Sequence, residues 1–452
     1  MRTGKVGGAE QVAHGLVRGL AALDDRSHYF LRCPRSTYWD WVLPREFQHC
    51  AVWSDRVVSE QRRRRAAFRG RETPKLSGLY GELDLLHAPS GYLPVGAEKA
   101  SKIVVTIHDL QQLHMPEFFS GSERDYRFAQ IERIKARADH LLCVSTFTRD
   151  DVHRRLGVAP ERLSVAWPPI DPDLITAPPP NWRARLRRSL GLDGPYAFYP
   201  AHPWPHKNHL RLLAVWESLA RKLPNGWRLV LTGAPMPQEH PASALLARLQ
   251  ARGSVLHLGY RSPWEMRTLL HEAAFLLFPS EFEGFGLPVA EALLAGVPVA
   301  CSDAGSLREV AGEAARYFDP RSVAGISDAI LELASDPACR AALVAAAKAR
   351  HHLFDSLGHA RGALSAYARV LGDPRLGLEC TRPAAIPPTR SRHQRFRHWA
   401  RRAETAGGTG KMLPLLAFSF IAAWHAPLRA ARRLGGAGLC RLEVFLLKLL
   451  QR

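Results

Sequence analysis

Apolar and polar positions fall into two alternating kinds of run. Short apolar stretches read as buried strands at HYFLRC (28–33), DLLHAP (84–89), KIVVTIHD (102–109), HLLCVS (140–145) and RLSVAW (162–167). A second set follows the proline-rich APPPNW (177–182): YAFYPA (196–201), RLVLTG (228–233), SVLHLG (254–259), AFLLFPS (274–280) and VPVACSD (297–303). Between them, EQVAHGLVRGLAAL (10–23), RLLAVWESLARKL (211–223) and PWEMRTLLHEA (263–273) carry apolar residues at helical spacing. Strands alternating with helices predict an α/β protein with parallel sheets. The break near residue 175 divides it into two α/β halves, 1–175 and 176–372, followed by 373–452.

The last segment differs in character. From Asp373 to Arg452 it holds 15 Lys or Arg against 4 Asp or Glu, about half of the whole chain's formal charge of +20. It opens as a basic, proline-containing linker and breaks at GGTGK (407–411). An apolar stretch of 13 residues, Met412–Trp424, then precedes an arginine cluster, and RLEVFLLKLLQR (441–452) reads as an amphipathic helix. Thirteen residues are too few to cross a bilayer but enough to lie in its interface. Contact with an anionic membrane surface is therefore expected, against the alternative of helices packing on the body or on a second copy. QRRRRAAFRGRETPK (61–75) is a second basic segment, read as a site for an anionic acceptor or as a solvated face.

Composition excludes several classes. At 46% hydrophobic and 23% charged residues over 452 positions, the chain is globular rather than disordered or collagenous. Its seven cysteines are odd in number and scattered without a CxxC pair, which argues against a disulfide framework or zinc ribbon and for a reducing compartment. The N-terminus lacks a secretory leader pattern, so a cytoplasmic location is expected, peripheral on the inner face of the plasma membrane. Only 10 of the 62 basic residues are Lys; a non-enzymatic nucleic-acid-binding protein using this arginine excess is an alternative reading, but no aromatic-interleaved basic motif accompanies it, so no nucleic-acid partner is expected. No GxGxxG follows a strand, which disfavours a dehydrogenase.

The stretch FPSEFEGFGLPVAEALLAGVPVACSDAGSLREVAG (278–312) is the most informative. A buried strand ends in a loop with Gly284 and Gly286, and Pro288 stands where a helix can begin. Glycines permit close backbone approach, and a helix N-terminus just beyond the loop favours phosphate. Glu283 is placed in the loop and Glu291 in the first helical turn, two carboxylates facing one cleft and suited to holding hydroxyl-bearing groups.

Glu283–GFGLPVA–Glu291 with its flanks resembles the E-x7-E signature of glycosyltransferase family 4. Four further landmarks occur in the family's order: VGGAEQVAHGLV (6–17), TIHDL (106–110), CVSTFTRDDVHRRLG (143–157) and YPAHPWPHKNHLRLL (199–213), with GYRSPWEMRTLLHEA before the glutamates. The resemblance implies a GT-B fold of two Rossmann-like domains facing a cleft, a sugar nucleotide held mainly by the second half, an acceptor held by the first, and retaining transfer without a metal or other cofactor. Lys207 matches the lysine that neutralises the donor diphosphate, Glu283 the glutamate beside the transferred sugar, and Glu291 the one that binds ribose. His108 matches the histidine contacting sugar or acceptor. Gly7, Gly8, Gly284, Phe285, Gly286 and Leu287 match donor-side loop positions. WPHKNH looks most like the mannosyltransferase branch, so GDP-mannose and a lipid-linked or polysaccharide acceptor are expected. A sugar-nucleotide epimerase or hydrolase on the same fold is the alternative reading.

Two departures from the family pattern stand out. Its phosphate loop supplies an Arg shortly before the Lys, whereas this chain has His202 and His206 there. These two with His209 do not make a zinc site, lacking a fourth ligand; Asp171-Pro-Asp173 is likewise read as a boundary, not a metal motif. The first β-strand that family members carry before the glycine loop is also missing, which points to a start codon upstream.

Overall fold

A computed structural model describes residues 8–24, 27, 29–33, 50–54, 83–94, 96–219, 222–224, 226–374 and 376. These all belong to one compact unit. Gly7, the basic 61–75 segment and the tail from 377 onward lie outside the described residues.

The second half is a six-stranded sheet, parallel at every pairing. Its strands are β7 (Tyr196–Pro200), β8 (Arg228–Thr232), β9 (Val255–His257), β10 (Phe275–Phe278), β11 (Val299–Ser302) and β12 (Arg316–Phe318), in spatial order β12-β11-β10-β7-β8-β9. All four residues of β10 and of β11 are buried, as a sheet covered on both faces requires. Tyr196, Phe198, Tyr199, Trp216, Phe275 and Phe278 form its largest fully buried side chains. The chain runs outward from β7 through β9, then returns to place β10 on the other side of β7. Ligands of open parallel sheets bind at such a reversal, outside the carboxyl ends of the two central strands. Here those ends launch the loops 201–208 and 279–286.

The first half contains β3 (Leu85–Ala88), β4 (Lys102–Ile107), β5 (His140–Cys143) and β6 (Leu163–Val165) as one parallel ladder. A separate parallel pair is formed by β1 (Tyr29–Cys33) and β2 (Cys50–Ser54). Among the described residues no strand joins the two ladders.

The helix Gly358–Leu371 departs from the expected extent of the second half. It returns to the first half, where Ala360, Ala363, Leu364 and Tyr367 share a core with Leu16 and Leu20 of helix Gly8–Leu23 and with Val104 and Leu142 of the sheet. Polar pins fix it. Tyr367 Oη lies 2.6 Å from His87 Nδ1, whose Nε2 is 2.8 Å from Thr106 Oγ1, and His359 Nδ1 lies 2.9 Å from the Ala166 carbonyl. Burial holds both histidines far below their usual pKa, His87 at about 3 and His359 at about 4, so they are neutral packing elements. The reason the boundary moves is sequence-invisible: the helix's apolar stripe fits either half, and only tertiary packing chooses.

No helix among the described residues is long and apolar enough to cross a membrane.

Close approach of the returning helix depends on small residues. A Cβ on Gly362 would stand 2.5 Å from Ala166 Cβ, and one on Gly19 at 2.5 Å from Ala360 Cβ. Gly362→Val is expected to cost about 1–3 kcal/mol through overpacking, read as a lowered denaturation midpoint with an unchanged slope. Wild-type stability would show that this interface repacks freely.

Candidate active site

Both loops at the sheet reversal are locked to each other by side-chain and backbone hydrogen bonds. Asn208 has φ 61°, the one non-glycine residue with positive φ among the described residues. Its amide Nδ2 donates to the carbonyls of Pro279 (3.1 Å) and Pro320 (2.8 Å), and its Oδ1 accepts from Arg211 at 2.7 Å. Arg211 also pairs with Glu281 at 2.7 Å, and the Glu281 N–H donates to the His206 carbonyl at 2.7 Å. Asparagine tolerates the left-handed region and turns that conformation into a cross-loop tie. The result sets Lys207 against Glu283: the ammonium lies 2.5 Å from Glu283 Oε1 and 5.4 Å from the Phe278 ring centre, with both charged side chains mostly buried.

The histidines around Lys207 do not share its charge. Burial, reinforced by the neighbouring ammonium, pushes His206 down to about 2 and lowers His202 as well. His209, buried and close to His240, falls to about 3. His202 Nδ1 accepts from the Ala234 N–H at 3.1 Å. With the family's arginine replaced by neutral imidazoles, Lys207 is the single cation of the segment Tyr199–Asn208 near pH 7.

The helix after the second loop begins at Leu287, not at Pro288. Gly286 caps it with φ 89°, and a Cβ there would stand 2.4 Å from Leu307 Cδ2. Glu291 therefore lies in the second turn and not the first, a correction to its expected position. It is 9% exposed, and its Oε1 accepts from Gln11 Nε2 of the first half at 2.9 Å. Burial, aided by Asp171, raises its carboxyl to about 7, against the lowering effect of Gln11. Asp171 itself caps the short helix Pro172–Ile175 by accepting from the Asp173 N–H at 3.0 Å.

Across the cleft the halves meet backbone to backbone. A Cβ on Gly284 would stand 1.8 Å from the His108 carbonyl oxygen, so only glycine fits. The Gly284 carbonyl accepts from the hydroxyls of Ser145 (2.7 Å) and Thr148 (3.2 Å) at the start of helix Thr146–Leu156. His108 Nε2 lies 2.8 Å from the Pro89 carbonyl, an acceptor only, so Nε2 carries the proton; burial lowers the ring's pKa and leaves Nδ1 free to accept. Gly8 opens helix Gly8–Leu23, and a Cβ there would meet Leu287 Cδ1 at 2.8 Å.

The structure thus brings Lys207, Glu283, Gly284 and His108 to one point of the cleft and sets Glu291, Leu287 and Gly8 beside it. The Phe285 side chain is buried edge-on to Trp167 at 5.5 Å, so only its backbone is left to face the cleft. Sequence reasoning missed Gln11, Ser145, Thr148, Asn208 and Glu309, the last of which accepts from the Thr146 and Phe147 N–H groups of the first half at 2.8 and 2.9 Å. Ser145 and Thr148 carried a signal, because Ser-x-x-Thr ahead of a helical run is a capping pattern; Gln11 and Glu309 acquire their meaning from partners in the other half. Among the described residues no group of three His, Cys, Asp or Glu side chains could hold a metal ion.

Two family models match the chain in tandem: "Glycosyltransferase Family 4" over residues 6–174 and "Glycosyl transferases group 1" over residues 183–350. The O-antigen chain mannosyltransferase B of Escherichia coli is 31% identical over 257 residues, covering 57% of this chain and 66% of that protein. The O-antigen chain mannosyltransferase RfbU of Salmonella typhimurium is 25% identical over 220 residues, covering 48% and 56%. The chain thus spans under two thirds of the length of these relatives. Among solved structures, Anabaena Alr3699/HepE in complex with UDP and glucose superposes with a TM-score of 0.62 at 19% identity, covering 81% of this chain and 98% of that one. WaaG, a glycosyltransferase involved in lipopolysaccharide biosynthesis, gives 0.58 at 17%, covering 81% and 96%. These neighbours share the two-domain GT-B fold; the two matched models, which together span most of residues 6–350, place the chain among the family 4 glycosyltransferases.

Proposed function

We propose that this chain is a retaining glycosyltransferase that moves mannose from GDP-mannose to a hydroxyl of a lipid-linked or polysaccharide acceptor. The observation that carries the reading is the Lys207–Glu283 pair at the reversal of the second sheet, facing His108 across the Gly284 contact. Similarity to two O-antigen mannosyltransferases supports the sugar and the polysaccharide acceptor.

In this reading Lys207 stabilises the negative charge that grows on the departing diphosphate, a preorganised electrostatic role in a mostly buried site. Glu283 supports positive charge at the anomeric carbon. Glu291 accepts hydrogen bonds from the ribose hydroxyls. His108, neutral with Nδ1 available, accepts from a hydroxyl of the sugar or acceptor. The acceptor hydroxyl passes its proton to the leaving phosphate on the same face, so no glutamate forms a covalent bond. The basic segments 61–75 and 373–452 suit an anionic lipid carrier at the inner membrane face, with the protein in the cytoplasm.

Calorimetric titration with GDP, UDP and ADP tests the donor site. One diphosphate, GDP, is expected to bind, and Lys207→Ala is expected to weaken it by roughly 10- to 150-fold, the loss of a charge-assisted contact worth about 1.5–3 kcal/mol. Equal affinity in the two proteins would remove Lys207 from the site.

Glu291 adds a pH dependence with a definite sign. Its carboxyl lies at about 7 in the folded protein against an ordinary 4.5, so its stabilising contribution is complete below about pH 4.5 and lost as pH rises through about 7. Wild-type stability measured against Glu291→Gln should fall between about pH 5 and 8, then level off. Ribose hydroxyls that donate to the carboxylate favour its ionised form, so GDP affinity should rise over the same window in wild type and stay flat in the variant. A parallel profile in both proteins would assign the titration elsewhere.

A further inference from the structure

Glu309 has a role that neither the E-x7-E signature nor the cleft residues above include. It sits on the short helix Leu307–Ala311 of the second half, and its carboxylate reaches into the first. Oε1 accepts from the Thr146 N–H at 2.8 Å and from Trp167 Nε1–H at 2.9 Å, and Oε2 accepts from the Phe147 N–H at 2.9 Å. Thr146 and Phe147 are the first two residues of helix Thr146–Leu156, whose N–H groups have no partner within the helix. Ser145 already satisfies the Thr148 N–H at 3.0 Å. A carboxylate from one half therefore completes the cap of a helix from the other, where the helix dipole favours negative charge.

Both ends of this contact lead to the Glu283–Gly284 peptide. Three residues before Glu309, Ser306 donates its N–H (3.1 Å) and hydroxyl (3.3 Å) to the Glu283 carbonyl. On the other side, Ser145 and Thr148 of the capped helix hold the Gly284 carbonyl. Arg350 steadies the short helix from behind, donating to the carbonyls of Glu309 (2.7 Å) and Val310 (3.2 Å). Consecutive carbonyls of the loop are thus gripped from opposite halves, and Glu309 sets the distance between the two grips.

We propose that Glu309 is a positioning residue: an interdomain latch that holds the Glu283 loop in register with His108 during transfer. The proposal rests on the glycosyl-transfer reading, with Lys207 and Glu291 binding the donor from the second half whether or not the latch is made.

Two single variants and their double test it. Glu309→Gln sets an amide against helix N–H donors. Thr146→Pro removes one of those donors at the first helical position, where proline is tolerated and the preceding Ser145 is already extended (φ −155°, ψ 164°). Each is expected to lower kcat roughly 10- to 100-fold, as misplacement of a reacting group does. Donor KM and GDP affinity should stay within about twofold of wild type, and the double variant should be no worse than the poorer single one. A kcat within about twofold of wild type in Glu309→Gln, or additive losses in the double, would overturn the latch. Should Glu309→Gln fail to fold, Thr146→Pro carries the test alone. If wild type neither binds a nucleoside diphosphate nor transfers sugar, the glycosyl-transfer reading falls. Small-angle scattering then decides the latch: a larger radius of gyration in the variants supports it, and an unchanged profile overturns it.

Discussion

The organising constraint of this molecule is the contact between the Gly284 backbone and the His108 carbonyl. With no room for even a methyl group between the halves, the loop bearing Glu283 is pressed against the segment bearing His108. Everything around it serves that contact. Ser145 and Thr148 hydrogen-bond the glycine's carbonyl, Gly305 backs onto Glu283, and Gly286 turns the chain into the helix that carries Glu291. Such backbone-on-backbone packing transmits small displacements directly, because nothing compressible lies between the partners.

Charge at the site is defined by what is kept neutral as much as by what is charged. The chain is strongly basic, yet the loop beside Glu283 carries one cation, with neutral imidazoles around it. A lone lysine with a close carboxylate partner differs from an arginine–lysine pair: it is a point charge with rotatable donors, lacking the bidentate fork of a guanidinium. Under the proposed glycosyl-transfer reading, a diphosphate would then lean on the backbone around Gly284–Leu287 and on the helix N-terminus beyond.

Much of the fold was legible because buried parallel strands are apolar on both faces. All ten strands read from the sequence are present, and two more among the described residues were overlooked: Cys50–Ser54, and Arg316–Phe318, which has three residues and opens on an arginine. Lys207, Glu283 and His108 were legible as motif positions within conspicuous loops. Gln11 and Glu309 were not, since a glutamine on an amphipathic helix and a glutamate after an arginine look solvent-facing until partners 280 and 163 residues away are known. The same blindness affected the end of the second half. Helix Gly358–Leu371 has an ordinary apolar stripe, and nothing local says which sheet receives it.

That returning helix has a consequence for synthesis. The first sheet is complete in sequence at Val165, but one of its faces is covered by residues 358–371. At about 5–20 residues per second, the ribosome needs on the order of 10–40 s to travel between them. Throughout that interval Val104 and Leu142 are without the aliphatic cover that Ala363 and Leu364 later provide. The amino-terminal half is therefore a late finisher although it is made first, and a nascent chain stalled or cut short of residue 358 would present an apolar sheet face to chaperones and to its own kind.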